Sequence, residues 1–120
     1  MGGKYVVHLY DQDTVLTPND FFCLNIMDAS QGDRTFWLPD IGASDLGKWI
    51  VFIRKGRENA LRIYPSPGGF ISGRAGSIKF TDDHDCSVIQ MVVASDRHWI
   101  VAPFVMRNSD RSISGARAYA

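Results

Sequence analysis

Lys48-Trp49-Ile50-Val51-Phe52-Ile53-Arg54 is the segment that sets the fold of this chain. Its five central residues are all β-branched or aromatic and lie between two cations, the composition of a strand. Successive side chains of a strand point to opposite faces. Trp49, Val51 and Ile53 therefore share one side, and Ile50 and Phe52 share the other. A strand in a half-solvated antiparallel sheet alternates apolar with polar. This one is apolar on both sides, so both sides need cover.

The same two-sidedness recurs downstream. In SVIQMVVA (87–94), Ile89, Met91 and Val93 oppose Val88 and Val92; in HWIVAPFV (98–105), Trp99 and Val101 oppose Ile100, Ala102 and Phe104. Further strands are expected at KYVVHLY (4–10), DFFCLNIM (20–27), RTFWL (34–38) and ALRIY (60–64), with brief extended pieces at 70–71 and 77–80. Gly, Pro, Asn, Asp and Ser clusters bound every run, and the spacing is short and regular, as in a β-sandwich or barrel. Hairpin joints are expected at 55–59 (KGREN) and 94–97 (ASDR), an ordered loop at 65–69 (PSPGG) and a polar corner at 81–85 (TDDHD). Helix is limited to one turn within 40–46 (DIGASDL), where Gly42 and Gly47 restrict it. With no helices to cover a second face, one face of the two-sided strands is expected to fill the core and the other a subunit interface. Trp49, Val51, Ile53, Ile89, Met91, Val93, Trp99 and Phe104 are the interface candidates.

The chain has 120 residues, enough for one core, with 45% apolar and 22% charged residues. Thirteen Lys and Arg balance thirteen Asp and Glu, without the cationic excess of a general nucleic-acid binder. Neither a signal peptide nor a membrane-spanning run is visible, so synthesis in the cytoplasm is expected. Cys23 and Cys86 lie in or beside apolar runs, far apart and without CxxC spacing, as buried free thiols of a reducing compartment would.

No pattern of catalytic residues emerges. His84 lies in Asp82-Asp83-His84-Asp85-Cys86, but neighbours on an extended chain point to opposite sides and match no compact metal site. His8, His84 and His98 are scattered, and no nucleophile motif accompanies them. Glu58, the one glutamate, sits in a turn, and Gly68, Gly69, Gly73 and Gly76 precede no helix that would cradle a phosphate. The expectation is a protein with no enzymatic activity, metal or cofactor. Of the three tryptophans, Trp49 and Trp99 are expected in the core and Trp37, beside the Leu38-Pro39 break, is expected to be partly exposed.

Beyond Met106 the apolar periodicity stops. Residues 1–106 are read as the β-domain and 107–120 (RNSDRSISGARAYA) as an extended C-terminal arm. Arg107, Arg111, Ile113, Arg117 and Tyr119 are its candidate contacts, since Arg and Tyr are favoured anchors.

One broader pattern runs from Thr35 to Val101. Phe36-Trp37-Leu38-Pro39 is followed by Gly47 and the apolar strand, then Leu61-Arg62-Ile63-Tyr64-Pro65, then Gly68-Gly69-Phe70-Ile71-Ser72-Gly73, and last Arg97-His98-Trp99-Ile100-Val101. This resembles β-structured phage virion proteins: tail fibres, head fibres and capsid decoration proteins. The resemblance covers a little over half the chain and identifies an architecture, not a chemistry. It implies an all-β, antiparallel, jelly-roll-like sandwich or barrel that assembles as a homotrimer. Tail-fibre proteins are usually long, whereas this chain opens on Met1 and ends soon after the module. A trimeric capsid decoration (cement) protein on the virion surface, bound to the major capsid protein, is therefore the expected function. A tail, neck or fibre component or receptor-binding module is the alternative, and a cellular carbohydrate-binding β-domain the second. Neither nucleic acid nor membrane is expected as a partner.

Overall fold

The computed structural model describes residues 5–80 and 87–102. Among these described residues it is an all-β domain with ten strands: β1 (Val6–Tyr10), β2 (Thr14–Val15), β3 (Cys23–Asp28), β4 (Arg34–Trp37), β5 (Trp49–Lys55), β6 (Leu61–Tyr64), β7 (Phe70–Ile71), β8 (Ile78–Phe80), β9 (Ser87–Ser95) and β10 (His98–Ala102). Two single turns of 3-10 helix, Pro18–Asp20 and Ala43–Asp45, interrupt them. The second lies inside the segment where one helical turn is expected. Strand β2 has no counterpart in the sequence expectation.

The strands form two sheets, one of six in the order β1-β3-β5-β9-β10-β7 and one of four in the order β2-β4-β6-β8. The antiparallel expectation is corrected here. β1 with β3, β3 with β5, β2 with β4, β4 with β6 and β7 with β10 all pair in parallel. Only β5–β9, β9–β10 and β6–β8 pair antiparallel. The cause lies in the connections. From β1 to β6 the chain changes sheet at every step, so the strand it builds in one sheet serves as the crossover between two neighbours of the other. A parallel pair needs such a return path, and here it is a strand where α/β proteins use a helix.

The KGREN segment shows the difference. It joins β5 in the large sheet to β6 in the small one and is a crossover, not a hairpin. Gly56 has φ +95, and a Cβ there would lie 2.7 Å from the Ser30 backbone nitrogen. Ala29 N–H donates to the Lys55 carbonyl at 2.8 Å, and Asn59 Nδ2 donates to the Ala29 carbonyl at 2.7 Å. The crossover is thus laid against the turn after β3, a close approach that only glycine permits. The ASDR turn between β9 and β10 does make a hairpin, with Arg97 at φ 58 and a register shift at His98 and Trp99.

The sheets pack face to face around one core. Met27, Ile50, Phe52, Ile89, Met91, Val93 and Trp99 come from the large sheet; Phe36, Leu61, Ile63, Ile78 and Phe80 come from the small one. Phe36 and Phe52 meet across the interior with ring centroids 5.5 Å apart. Leu16, Phe21, Leu38 and Ile41 close one end. Arg54 is buried in this interior, where its Nη1 donates to the carbonyls of Asn59 and Phe80 at 3.2 Å. Cys23 is a buried free thiol, and its burial raises its pKa. Cys86 lies outside the described residues.

One polar cluster fixes β1 against the first 3-10 turn. Asp20 is 4% exposed; its Oδ1 lies 2.7 Å from His8 Nδ1 and accepts from Tyr10 Oη at 2.6 Å, and its Oδ2 accepts from Thr17 N–H at 2.9 Å. Burial first, then the bond to the Asp20 carboxylate, pushes the Tyr10 hydroxyl well above its ordinary value. A raised folded-state pKa contributes stability that is complete below the unfolded tyrosine value, about pH 10, and is lost as pH rises through the folded value. Urea melts between pH 8 and 11 are therefore expected to show falling stability above about pH 10, with the fall reduced in Tyr10→Phe. An identical slope in both proteins would contradict this.

Candidate functional site

The outer face of the six-stranded sheet is built from the residues that alternate with its core. On β5 these are Trp49, Val51 and Ile53; Ile50 and Phe52 are fully buried beneath them. Strand register places these outward residues in rows across the sheet. One row runs Val7, Leu24, Val51, Gln90 and Ala102. The next runs Leu9, Ile26, Ile53 and Val88, and a third contains Trp49, Val92 and Ile100. Leu9 is 76% exposed, Val7 46%, Ile100 38% and Val88 36%. A depression of about 480 Å³, lined by Tyr5, Leu24, Trp49, Val51, Ile53, Val88 and Gln90, lies at the centre. Five strands about 4.8 Å apart, each with two or three outward residues about 7 Å apart, make a patch on the order of 400 Å². Charge enters at one end, where Asp28 and Lys55 stand opposite each other.

An unusual backbone extends this face. Phe22 has φ 63, a conformation costly for a bulky side chain, yet the residue is 49% exposed. Its N–H donates to the Trp49 carbonyl at 2.7 Å, and its ring stands edge-on to Trp49 with centroids 5.5 Å apart. The strained residue thus carries an aromatic ring onto the margin of the apolar rows.

The interface candidates separate into three groups. Trp49, Val51 and Ile53 lie on the outer face. Ile89, Met91, Val93 and Trp99 point the other way and fill the protomer's own core, each 1% exposed or less. Val88, Val92 and Ile100 take their place on the outside. The expectation treated the three strands as equivalent, and their facing was fixed only by register: Ile50 pairs with Met91, and Val101 with Met91 on the other side. Phe104 lies outside the described residues. Trp99 is in the core as expected, but Trp49 is on the outer face instead. Trp37 is partly exposed, as its place beside Pro39 suggests.

The arm candidates Arg107, Arg111, Ile113, Arg117 and Tyr119, with the arm itself, lie outside the described residues, as does the Asp82 to Cys86 cluster. Among the described residues no three His, Cys, Asp or Glu side chains form a group able to hold a metal ion. Among them, too, no helix is long and apolar enough to cross a membrane.

The small sheet has an outer face of different character. Thr35, Arg62 and Lys79 form one row across it, and Trp37 and Tyr64 form the next. The Trp37 and Tyr64 rings are stacked, 6.3 Å between centroids and 19° from parallel. Beyond them a cleft of about 550 Å³ opens between Val15, Leu16, Pro18, Leu38, Pro39 and Pro67, with Asp40 and Ser66 as its polar groups. Sequence reasoning missed this grouping, because Arg62 and Lys79 become neighbours only through the pairing of β6 with β8.

Compared with known proteins, the chain matches no family model and no curated protein sequence.

Proposed function

We propose that this protein is a structural virion module, a capsid decoration protein that self-associates as a homotrimer and binds the major capsid protein on the outer shell. The observation that supports self-association is the apolar outer face of the large sheet. Exposed apolar patches beyond a few hundred Å² mark interaction sites. A standard interface buries roughly 800 Å² per partner, so this patch would supply its dry centre. Its chemistry suits a second copy: central rows without charge favour a surface of the same kind, and the Asp28–Lys55 end supplies a polar rim. Trimeric symmetry and the capsid as partner come from the resemblance of the Thr35 to Val101 pattern to phage virion proteins. A trimer that binds only the assembled lattice would stabilise the shell by mass action. The arm from Arg107 to Tyr119 would add contacts that act together through effective concentration.

Sedimentation equilibrium at micromolar concentration, paired with binding to DNA-filled heads, tests this reading. The full chain is expected to sediment as a trimer and to bind heads in multiples of three per lattice point. The chain ended after Met106 is expected to remain a trimer and bind heads more weakly. A stable monomer would overturn the assembly, and absence of head binding would overturn the capsid role. A fibre or receptor-binding module is the second reading, and the aromatic outer face of the small sheet is the observation that favours it.

A further inference from the structure

The outer face of the small sheet carries two features that packing alone does not account for. The first is a like-charge pair. Arg62 and Lys79 are direct partners on antiparallel β6 and β8, an arrangement that destabilises a sheet unless an anion intervenes. Asp33 does little to relieve it. Its Oδ2 lies 3.9 Å from Arg62 Nη1, at the outer limit of an ion pair, and its Oδ1 accepts from Ala60 N–H at 2.9 Å. Among the described residues no carboxylate lies within ion-pair distance of Lys79.

The second feature is the aromatic pair one row along, about 7 Å away. Trp37 is 37% exposed and stacks on Tyr64. No hydrogen bond among the described residues engages the Trp37 indole N–H or the Tyr64 hydroxyl. Buried aromatics find partners for such groups, and rings that stay wet at the tip are suited to ligands that are apolar on one side and polar on the other. Past the aromatics comes the 550 Å³ cleft, with the Asp40 carboxylate and Ser66 among apolar walls.

From one end to the other the face therefore presents cations, aromatic rings, then an apolar cleft with a carboxylate. We propose that it binds an oligosaccharide ending in an acidic sugar. The sugar carboxylate sits between Arg62 and Lys79, a neutral ring lays its C–H face on Trp37, and the next residue enters the cleft, where Asp40 and Ser66 take its hydroxyls. Asp40 disfavours a second acid there, so the direction of binding is set by charge. A nucleic-acid strand fits less well: bases would stack on Trp37, but two cations are few for a phosphate chain, and Asp33 and Asp40 stand in its path. These side chains stand on paired strands of one sheet, so little backbone ordering accompanies binding.

The test is calorimetric titration of the full chain with 3′-sialyllactose and with a hyaluronan tetrasaccharide, against lactose and an oligothymidylate. At least one acidic saccharide is expected to bind ten-fold or more tighter than lactose. Trp37→Ala should weaken that binding at least ten-fold, and Trp37→Phe should restore part of it. Arg62→Gln combined with Lys79→Gln should reduce it to the level of lactose and remove its salt dependence. Sedimentation and far-UV circular dichroism of these variants are expected to match the parent, which keeps this outcome separate from that of self-association. In thermal melts Arg62→Gln with Lys79→Gln should be no less stable than the parent, since the like-charge pair is removed. Equal affinity for lactose, no binding of either acidic saccharide, unchanged affinity in Trp37→Ala, or tighter binding of the oligothymidylate would each overturn the proposal.

Discussion

Ile53→Lys and Val88→Lys, made singly, are expected to convert the proposed trimer to folded monomers at micromolar concentration. The two residues face each other across β5 and β9 on the outer face of the large sheet. In a free protomer a lysine at either place reaches solvent along its flexible stem, so the monomer tolerates it. In the proposed trimer the same ammonium would be enclosed by apolar rows with no carboxylate partner. An unpaired buried charge costs roughly 3–5 kcal/mol, equivalent to more than a hundred-fold in the association constant. Symmetry multiplies the effect, because every interface of a homo-oligomer carries the change. Sedimentation equilibrium reads the mass, and far-UV circular dichroism reads the fold. A variant that keeps its oligomeric mass would remove this face from the assembly. Leu61→Ala is an unsuitable control because it alters the core; Glu58→Lys, in the exposed crossover between β5 and β6, should leave the mass unchanged.

Phe52→Ala is expected to lower stability by about 3–5 kcal/mol, through lost burial and the cavity left behind. Phe52 is fully buried at the centre of β5 and meets Phe36 of the opposite sheet. The void would open between two sheets whose backbones are each held by strands on both sides, so collapse onto it is limited. Each kcal/mol corresponds to roughly 4–8 °C in Tm for a domain near this size, so a fall of more than 10 °C is expected. Outward-facing Val51→Ala, one residue away, removes less than half as much side chain. Val51 is 9% exposed, so in the monomer the loss of its two methyl groups should cost about 1.5 kcal/mol, still well below the Phe52 loss. Similar losses at both positions would mean that the two faces of β5 are not distinguished as described.

Strand positions were legible in the sequence because β-branched and aromatic runs stand between turn-formers. KWIVFIR corresponds to β5 almost residue for residue, and SVIQMVVA to β9. Thr14 and Val15 were not legible as a strand, since two residues carry no period, and they are held by pairing with Phe36 and Trp37. The parallel topology was not legible for a different reason. A short glycine-containing joint such as KGREN reads the same whether the chain turns back beside itself or crosses to another sheet. What decides is the approach of Gly56 to Ser30, a contact between residues distant in sequence. At the candidate site, the two-sided pattern of β5 was legible as apolar residues on both faces, Ile50 and Phe52 toward the core and Trp49, Val51 and Ile53 away from it. It did not say which side of β9 and β10 shared the face of Trp49. The cationic row of Arg62 and Lys79 and the Trp37 cleft exist only through strand register, which local sequence does not encode.

The step-by-step change of sheet also governs how the domain comes together and falls apart. Strands of the large sheet are β1, β3, β5, β7, β9 and β10; those of the small sheet are β2, β4, β6 and β8. No single cut in the chain can separate one sheet from the other, and no contiguous fragment that ends before β8 contains either sheet whole. Most neighbours must also find each other across long loops, as Val6 does with Cys23, Leu24 with Val51 and Trp49 with Val92. Only β9 and β10 are closed by a tight local turn, from Ser95 to His98. Loop-closure entropy is therefore spent before most contacts return any energy, which places folding at the slow end, milliseconds to seconds, for a small domain. A nascent chain would hold its apolar strands incomplete until β9 emerged to pair with β5, and the domain would then form as one cooperative unit.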